Sequence, residues 1–206
     1  MSRRSSSSRW YQTQASDPFV KQREKLGLRS RAAFKLTELL EKDRLLKSGA
    51  TVLDLGASPG GWSQVAARIV GAHGLVVAVD ILAMEPMHDV RFLLGDCREP
   101  AVIERIRDAL RGRPVDLVLS DMAPNLTGIR DVDEARSVEL AELAFEAAQN
   151  FLRPGGTMVL KMFHSNDSER FLRGLRTHFE RLTRRKPAAS RKGSAEFYVV
   201  AGGYKG

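Results

Sequence analysis

The stretch Asp54-Leu55-Gly56-Ala57-Ser58-Pro59-Gly60-Gly61-Trp62 stands between a short apolar run and a helical one. Glycines in that position let other atoms approach the backbone closely. A glycine-rich loop by itself reads equally well as a tight turn, and two details narrow it. Its spacing is not the GxGxxG of dinucleotide sites, and Asp54 places a carboxylate where a pyrophosphate would otherwise sit. That carboxylate repels phosphate and tolerates a sulfonium or an ammonium. Asp80 closes the next apolar run, 26 residues after Asp54, where an acid can accept from a ribose diol. Asp96 follows the third run and can accept from an adenine amino group. Each acid alone reads as a helix cap or a turn former. Three of them at the ends of successive strands, beside a glycine loop, point to a nucleoside that carries a sulfonium. Ligands of open α/β sheets bind along that edge. The expected cofactor is therefore S-adenosylmethionine, held by Asp54, Gly56, Pro59, Gly60, Gly61, Trp62, Asp80 and Asp96.

Two further runs end in polar residues on the same edge, Val-Leu-Ser120-Asp121 and Val-Leu-Lys161. A lysine that ends an apolar strand also reads as a snorkelling edge residue. If the two strands are neighbours, Asp121 pairs with Lys161 and offsets its desolvation. Lys35 shares a helical face with Ala32 and Leu39, and Glu196 opens the last apolar run. No spacing rule brings Lys35 or Glu196 to the same place.

The elements that must position these groups alternate. Strands are expected at Thr51–Leu55, Leu75–Asp80, Val90–Leu94, Asp116–Ser120 and Thr157–Lys161, with helical stretches between them. In the helix before Thr157, Val138, Ala141, Phe145, Ala148 and Leu152 recur at intervals of three or four. Such alternation implies a parallel sheet with helices on both faces. At the N-terminal side, Ser30 is the expected cap of a helix over RAAFKLTELLEKDRLL. At the C-terminal side, a helix at Ser168–His178 precedes strands at Arg181–Lys186 and Phe197–Ala201, which are expected to pair antiparallel. Residues 1–20 read as a flexible, basic, serine-rich tail and 21–206 as a single domain, with no internal repeat.

Composition narrows the function. The chain has 206 residues, 43% of them hydrophobic, and a net charge of +8. Residues 1–35 hold nine Lys/Arg and two acids, and residues 181–206 hold seven and one. The stretch between has 17 basic and 22 acidic residues. A mildly acidic body with basic ends suits a cationic cofactor and a polyanionic partner. No apolar run is long enough to span a membrane, and the basic start lacks the apolar stretch of a signal peptide. One cysteine, Cys97, forms no internal disulfide or zinc cluster, and the four histidines lack metal-ligand spacing. A cytoplasmic protein without a metal is expected.

The stretches SRAAFKL, DLGASPGGWSQV, LSDMAPNLTG, GGTMVLK and RKGSAEFYVV resemble the FtsJ/RrmJ-type ribosomal RNA 2′-O-methyltransferases over essentially the whole chain except the serine-rich tail. That family carries a Lys-Asp-Lys-Glu active-site set, which falls on Lys35, Asp121, Lys161 and Glu196. The resemblance implies a Rossmann-like methyltransferase fold, with a seven-stranded, mostly parallel sheet and one antiparallel strand. It also implies methylation of a uridine in the aminoacyl-site loop of large-subunit rRNA, in the subunit or its precursor, by a monomer.

The chemistry suits the residue types. A ribose 2′-hydroxyl is a poor nucleophile and needs a partner that takes its proton as the methyl arrives. Lys161 is the expected base or hydroxyl orienter and Lys35 its electrostatic support. Asp121 is the expected orienter bridging to the cofactor, and Glu196 a positioner. Competing readings are a 2′-O-methyltransferase for tRNA or an mRNA cap, and a non-catalytic ribosome-assembly factor on the same scaffold. A dinucleotide oxidoreductase is disfavoured by Asp54 and the missing third glycine. Asn125-Leu-Thr127 matches a glycosylation sequon that no secretion signal supports.

The charge map yields a test. Removing residues 1–24 deletes five basic groups and spares the segment bearing Lys35. The truncated chain should bind cofactor normally and RNA more weakly, with a shallower slope of log affinity against log salt, because fewer counterions are released. An unchanged slope with full activity would show that the tail does not touch RNA.

Overall fold

The computed structural model describes residues 18–125, 127–190 and 193–206. Most of the expected tail, with Trp10 and Tyr11, lies outside them, as does Leu126 of the sequon. Helix α1 (Pro18–Lys25) leads to α2 (Ala32–Asp43), and the alternation follows. It runs β1 (Thr51–Leu55), α3 (Gly61–Val70), β2 (Leu75–Asp80), β3 (Arg91–Leu94), α4 (Pro100–Leu110), β4 (Val115–Ser120), α5 (Arg130–Phe151) and β5 (Leu152–Phe163). The chain ends in α6 (Asn166–Leu175), β6 (Phe179–Arg185) and β7 (Glu196–Tyr204).

The seven strands form one sheet in the order β3-β2-β1-β4-β5-β7-β6. Strand β7 runs antiparallel to both of its neighbours, and the remaining pairings are parallel. This is the architecture that the alternation and the resemblance implied. Central β1 is buried along its whole length, as expected for a strand covered on both faces. Side chains alternate between two cores. Leu53, Leu55, Val77, Val118, Met158 and Leu160 pack under α4, α5 and α6. Val52, Val76, Ala78, Leu117, Leu119, Val159 and Val200 pack under α2 and α3.

Several boundaries differ from the sequence reading: β5 starts at Leu152, expected in the preceding helix, and not at Thr157, β6 spans Phe179–Arg185, and β7 spans Glu196–Tyr204. Helix α2 stops at Asp43, because Arg44 turns left-handed (φ 50°, ψ 47°) and its N–H closes onto Leu40 O. Ser30 does not cap that helix: the preceding residue, Arg31, is already helical and no side chain caps it. The Ser30 hydroxyl instead lies against Gly61. Helix α6 starts earlier than expected, because Ser165 and Ser168 exchange side-chain-to-backbone hydrogen bonds, each 3.0 Å, in a reciprocal cap. Among the described residues, no helix is long and apolar enough to cross a membrane, and no cluster of His, Cys, Asp or Glu is placed to hold a metal.

Candidate active site

The two-residue period of the strands places the chemistry. Asp54 shares the face of Val52, Asp80 that of Ala78, Lys161 that of Val159, and Tyr198 that of Val200. All four lie on the side covered by α2 and α3. Because β4 neighbours β5, Asp121 follows the end of β4 beside Lys161, and their side chains pair at 3.1 Å. Lys161 Nζ also donates to the Asp121 carbonyl at 2.5 Å.

Lys35 and Glu196, which no spacing rule could place, arrive from α2 and the start of β7. Lys35 Nζ donates to Glu196 Oε1 at 2.6 Å. The link between the two ion pairs is Tyr198, which the sequence reading missed. Its hydroxyl accepts from Lys35 at 3.1 Å and donates to Asp121 Oδ1 at 2.7 Å. Glu196, Lys35, Tyr198, Asp121 and Lys161 thus form one continuous chain of polar contacts. The signal was available: Glu196 and Tyr198 are two residues apart in a strand and must face the same way. The register confirms it, setting Tyr198 opposite Lys161.

The network is buried. Lys161 and Lys35 side chains are 8% and 11% exposed. An unpaired charge at such depth costs several kcal/mol, so each cation needs its carboxylate. Burial works to raise the Glu196 pKa, but the hydrogen bond and charge of Lys35, helped by Ser190 and Lys161, outweigh it and hold the carboxyl below its usual range. Glu196 is therefore ionised. Burial, then the charges of Asp121 and Glu196, drive the Tyr198 phenol well above its ordinary value. It stays protonated with its single proton directed at Asp121, so it does not act as a base.

Helix α2 is fixed against the sheet beside this network. Trp62 Nε1 donates to Ala32 O at 2.9 Å, and its ring lies 5.7 Å from that of Tyr198. Just before α2 the Arg29 guanidinium donates to the carbonyls of Pro59, Glu85 and Pro86. Arg31 donates to Ala189 O and Arg185 pairs with Asp43, which brings the N-terminal segment against the chain around residues 185–189.

At the glycine loop the protein's own side chains take the space that the glycines leave. Gly60 adopts φ +99°, and a side chain there would press on Met87, Met84 and Arg29. The space a side chain would need is taken by Ser30 at Gly61 and by Met122 at Gly56. The close approach these glycines allow is first of all that of the protein to itself. The acids fare differently from one another. Asp80 accepts from Ser58 N and Leu82 N, each through one oxygen, and keeps acceptor capacity. Both oxygens of Asp96 are engaged by Arg98. Asp54 is fully buried, accepts from Ser63 Oγ at 2.5 Å, and has a second oxygen with no donor among the described residues. Burial, only partly offset by Ser63, pushes its pKa up to about 7.

A carboxyl raised in this way keeps its proton in the folded chain after the unfolded chain has lost it. Stability is then full below about pH 4, declines as pH rises to about 7, and levels off, a total of roughly 4 kcal/mol. Asp54→Asn preserves an acceptor for Ser63 and cannot titrate. In urea denaturation its stability relative to wild type should improve by a few kcal/mol between pH 4 and 7.5. A difference that stays flat over that window would return Asp54 to an ordinary carboxylate.

This geometry can be set beside known proteins. The model of the FtsJ-like methyltransferases matches residues 28–204. A ribosomal RNA large subunit methyltransferase E of Xanthomonas campestris pv. campestris is 54% identical over 202 residues, covering 98% of this chain and 96% of the relative. Its namesake in Stutzerimonas stutzeri is 49% identical over the full length of both chains. Among solved structures, a ribosomal RNA methyltransferase of Plasmodium falciparum superposes with a TM-score of 0.78 at 28% identity, over 86% of this chain and 99% of that one. By sequence and by fold, this chain belongs to the FtsJ-like methyltransferase family.

Proposed function

We propose that the chain transfers a methyl group from S-adenosylmethionine to a ribose 2′-hydroxyl of RNA, its target a uridine in the aminoacyl-site loop of large-subunit rRNA. The observation that carries this reading is the buried chain of contacts from Glu196 to Lys161. The relatives named for large-subunit ribosomal RNA favour that substrate over tRNA or an mRNA cap. On this reading residues 21–206 act as one methyltransferase domain, a cytoplasmic monomer meeting its RNA within the subunit or its precursor.

The residues present fit the cofactor. Asp54 offers a buried carboxylate oxygen that lacks a donor, suited to a cationic ligand. Asp80 keeps acceptor capacity for a ribose diol. The first turn of α3, with Gly61 and Trp62, presents backbone N–H groups that no helical carbonyl reaches. Gly56, Pro59 and Gly60 shape the loop, Asp121 borders it, and Asp96 would accept from an adenine amino group by giving up part of Arg98. When bound, S-adenosylmethionine supplies an electrophilic methyl on a sulfonium.

Lys161 faces the acceptor hydroxyl. An ammonium has three hydrogen-bonding directions, and the Asp121 side chain and carbonyl occupy two. The third holds the 2′-hydroxyl as a donor when Lys161 is charged, and takes its proton when Lys161 is neutral. Asp121 fixes the direction of that third position. Lys35, held by ionised Glu196, sets a positive charge on the far side of Tyr198 and steadies the phenol against Asp121. No step requires a metal, since the leaving group is already positive. Most of the rate then comes from alignment.

Lys161→Ala should bind cofactor as wild type does and lose methyl transfer by about 10²–10⁴-fold. Lys161→Arg should fail similarly, because a guanidinium accepts no proton. Near-native turnover in the Arg variant would overturn the base role. Asp80→Ala should weaken cofactor binding about tenfold or more, since bonds to a charged acceptor contribute about 1.5–3 kcal/mol. Calorimetry showing unchanged affinity in the folded variant would remove Asp80 from the site.

A further inference from the structure

Phe163 is the last residue of β5, two positions beyond Lys161. Two positions along a strand return to the same face about 6.6–6.8 Å further on. Phe163 therefore shares the face of Lys161 and lies toward the mouth of the site. The register sets it opposite Glu196, as it sets Lys161 opposite Tyr198, and directly opposed side chains stand about 4.5–5.5 Å apart at Cβ. Its neighbours on the strand have other tasks. Met162 is fully buried under the α4–α6 side. Phe197, across the sheet and on that same side, stacks on His164 at 4.3 Å and lies beneath the Arg184 guanidinium.

Phe163 has no such role. Among the described residues it belongs to neither core cluster and makes no ring–ring contact, yet it is only half-buried. A phenylalanine at a strand end, on the polar face of the candidate site and with part of its surface exposed, has an aromatic surface that a ligand can cover. It stands one step outward from the lysine that would face the 2′-hydroxyl. In a nucleotide, the base projects from the carbon next to the one that carries this hydroxyl.

We infer that Phe163 is the stacking platform for the base of the nucleotide being methylated. This rests on the reading of the site as an RNA 2′-O-methyltransferase and adds to it the requirement that the target base leave its own stack. Proteins that bind unpaired RNA stack bases on aromatic side chains, and every base has a face to offer. The platform holds the base while Lys161 and Asp121 hold the ribose, so the sugar is fixed at two points. It accepts any base, so the choice of nucleotide is made elsewhere.

The test compares Phe163→Ala, Phe163→Leu, Phe163→Tyr and Phe163→Trp on large subunits isolated from cells that lack this protein. Alanine replacement of a stacking ring costs about 5- to 150-fold. The Ala variant should lose that much in kcat/KM, mainly through KM, with cofactor affinity unchanged by calorimetry. Leu, apolar and of similar bulk but without a π-face, should resemble Ala, while Tyr and Trp should stay within about threefold of wild type. A Leu variant as active as wild type, or an Ala variant with unchanged KM, would sink the inference. Wild-type inactivity on these subunits would instead count against the functional reading. A separate measurement does not depend on turnover: the emission of Phe163→Trp, after subtraction of wild type, should be quenched by a short oligouridylate. Saturating oligouridylate without quenching would show that no base stacks there.

Discussion

Two lysines with only about a tenth of their side-chain surface exposed, at the carboxyl edge of a sheet, impose the constraint on which the rest depends. Each must meet a carboxylate, or the fold loses several kcal/mol at that point. The solution is a chain in which cation and anion alternate, with the Tyr198 phenol between the two pairs. Because the phenol stays protonated, it transmits orientation and not a proton. Lys161 Nζ ends the chain, held by the side chain and the carbonyl of Asp121.

That constraint explains features otherwise remote from the chemistry. Lys35 can reach the network only if α2 lies tightly on the sheet, which accounts for the Trp62 bond to Ala32 and for glycine at position 61, where Ser30 needs the room. It accounts also for β7 running antiparallel. Reversal sets Glu196 and Tyr198 at the carboxyl edge by placing the start of β7 beside the end of β5. A parallel β7 would bring its C-terminal residues there and leave Lys35 without a counter-ion. The antiparallel strand is thus part of the candidate active site as well as of the topology.

Much of this was legible in the sequence because it depends on periods of two and of 3.6. β1 and β2 end where the apolar runs end, and the Asp121–Lys161 pair followed once β4 and β5 were taken as neighbours. Three things were not legible. The spacing of Tyr198 from Glu196 shows which face it takes, but it is the register opposite Lys161 that reveals its hydroxyl as the junction. Lys35 and Glu196 are separated by most of the chain, and only resemblance joined them beforehand. The basic ends were counted as ligands for a polyanion, whereas Arg184 and Arg185 pair with Glu169 and Asp43. Charge counted along a sequence does not distinguish a cation facing solvent from one that ties two elements together. The glycines misled in a similar way: a loop that admits close approach does not say what approaches.

The central claim, that Lys161 and its network direct a methyl group onto a ribose oxygen, is tested most directly by the chemical identity of the product. Large subunits from cells lacking this protein can be incubated with the purified chain and isotope-labelled S-adenosylmethionine. Their rRNA is then digested to nucleosides and analysed by mass spectrometry. The account predicts label in 2′-O-methyluridine, with the added methyl on the ribose fragment. Label on a base fragment, in any nucleoside, would contradict it.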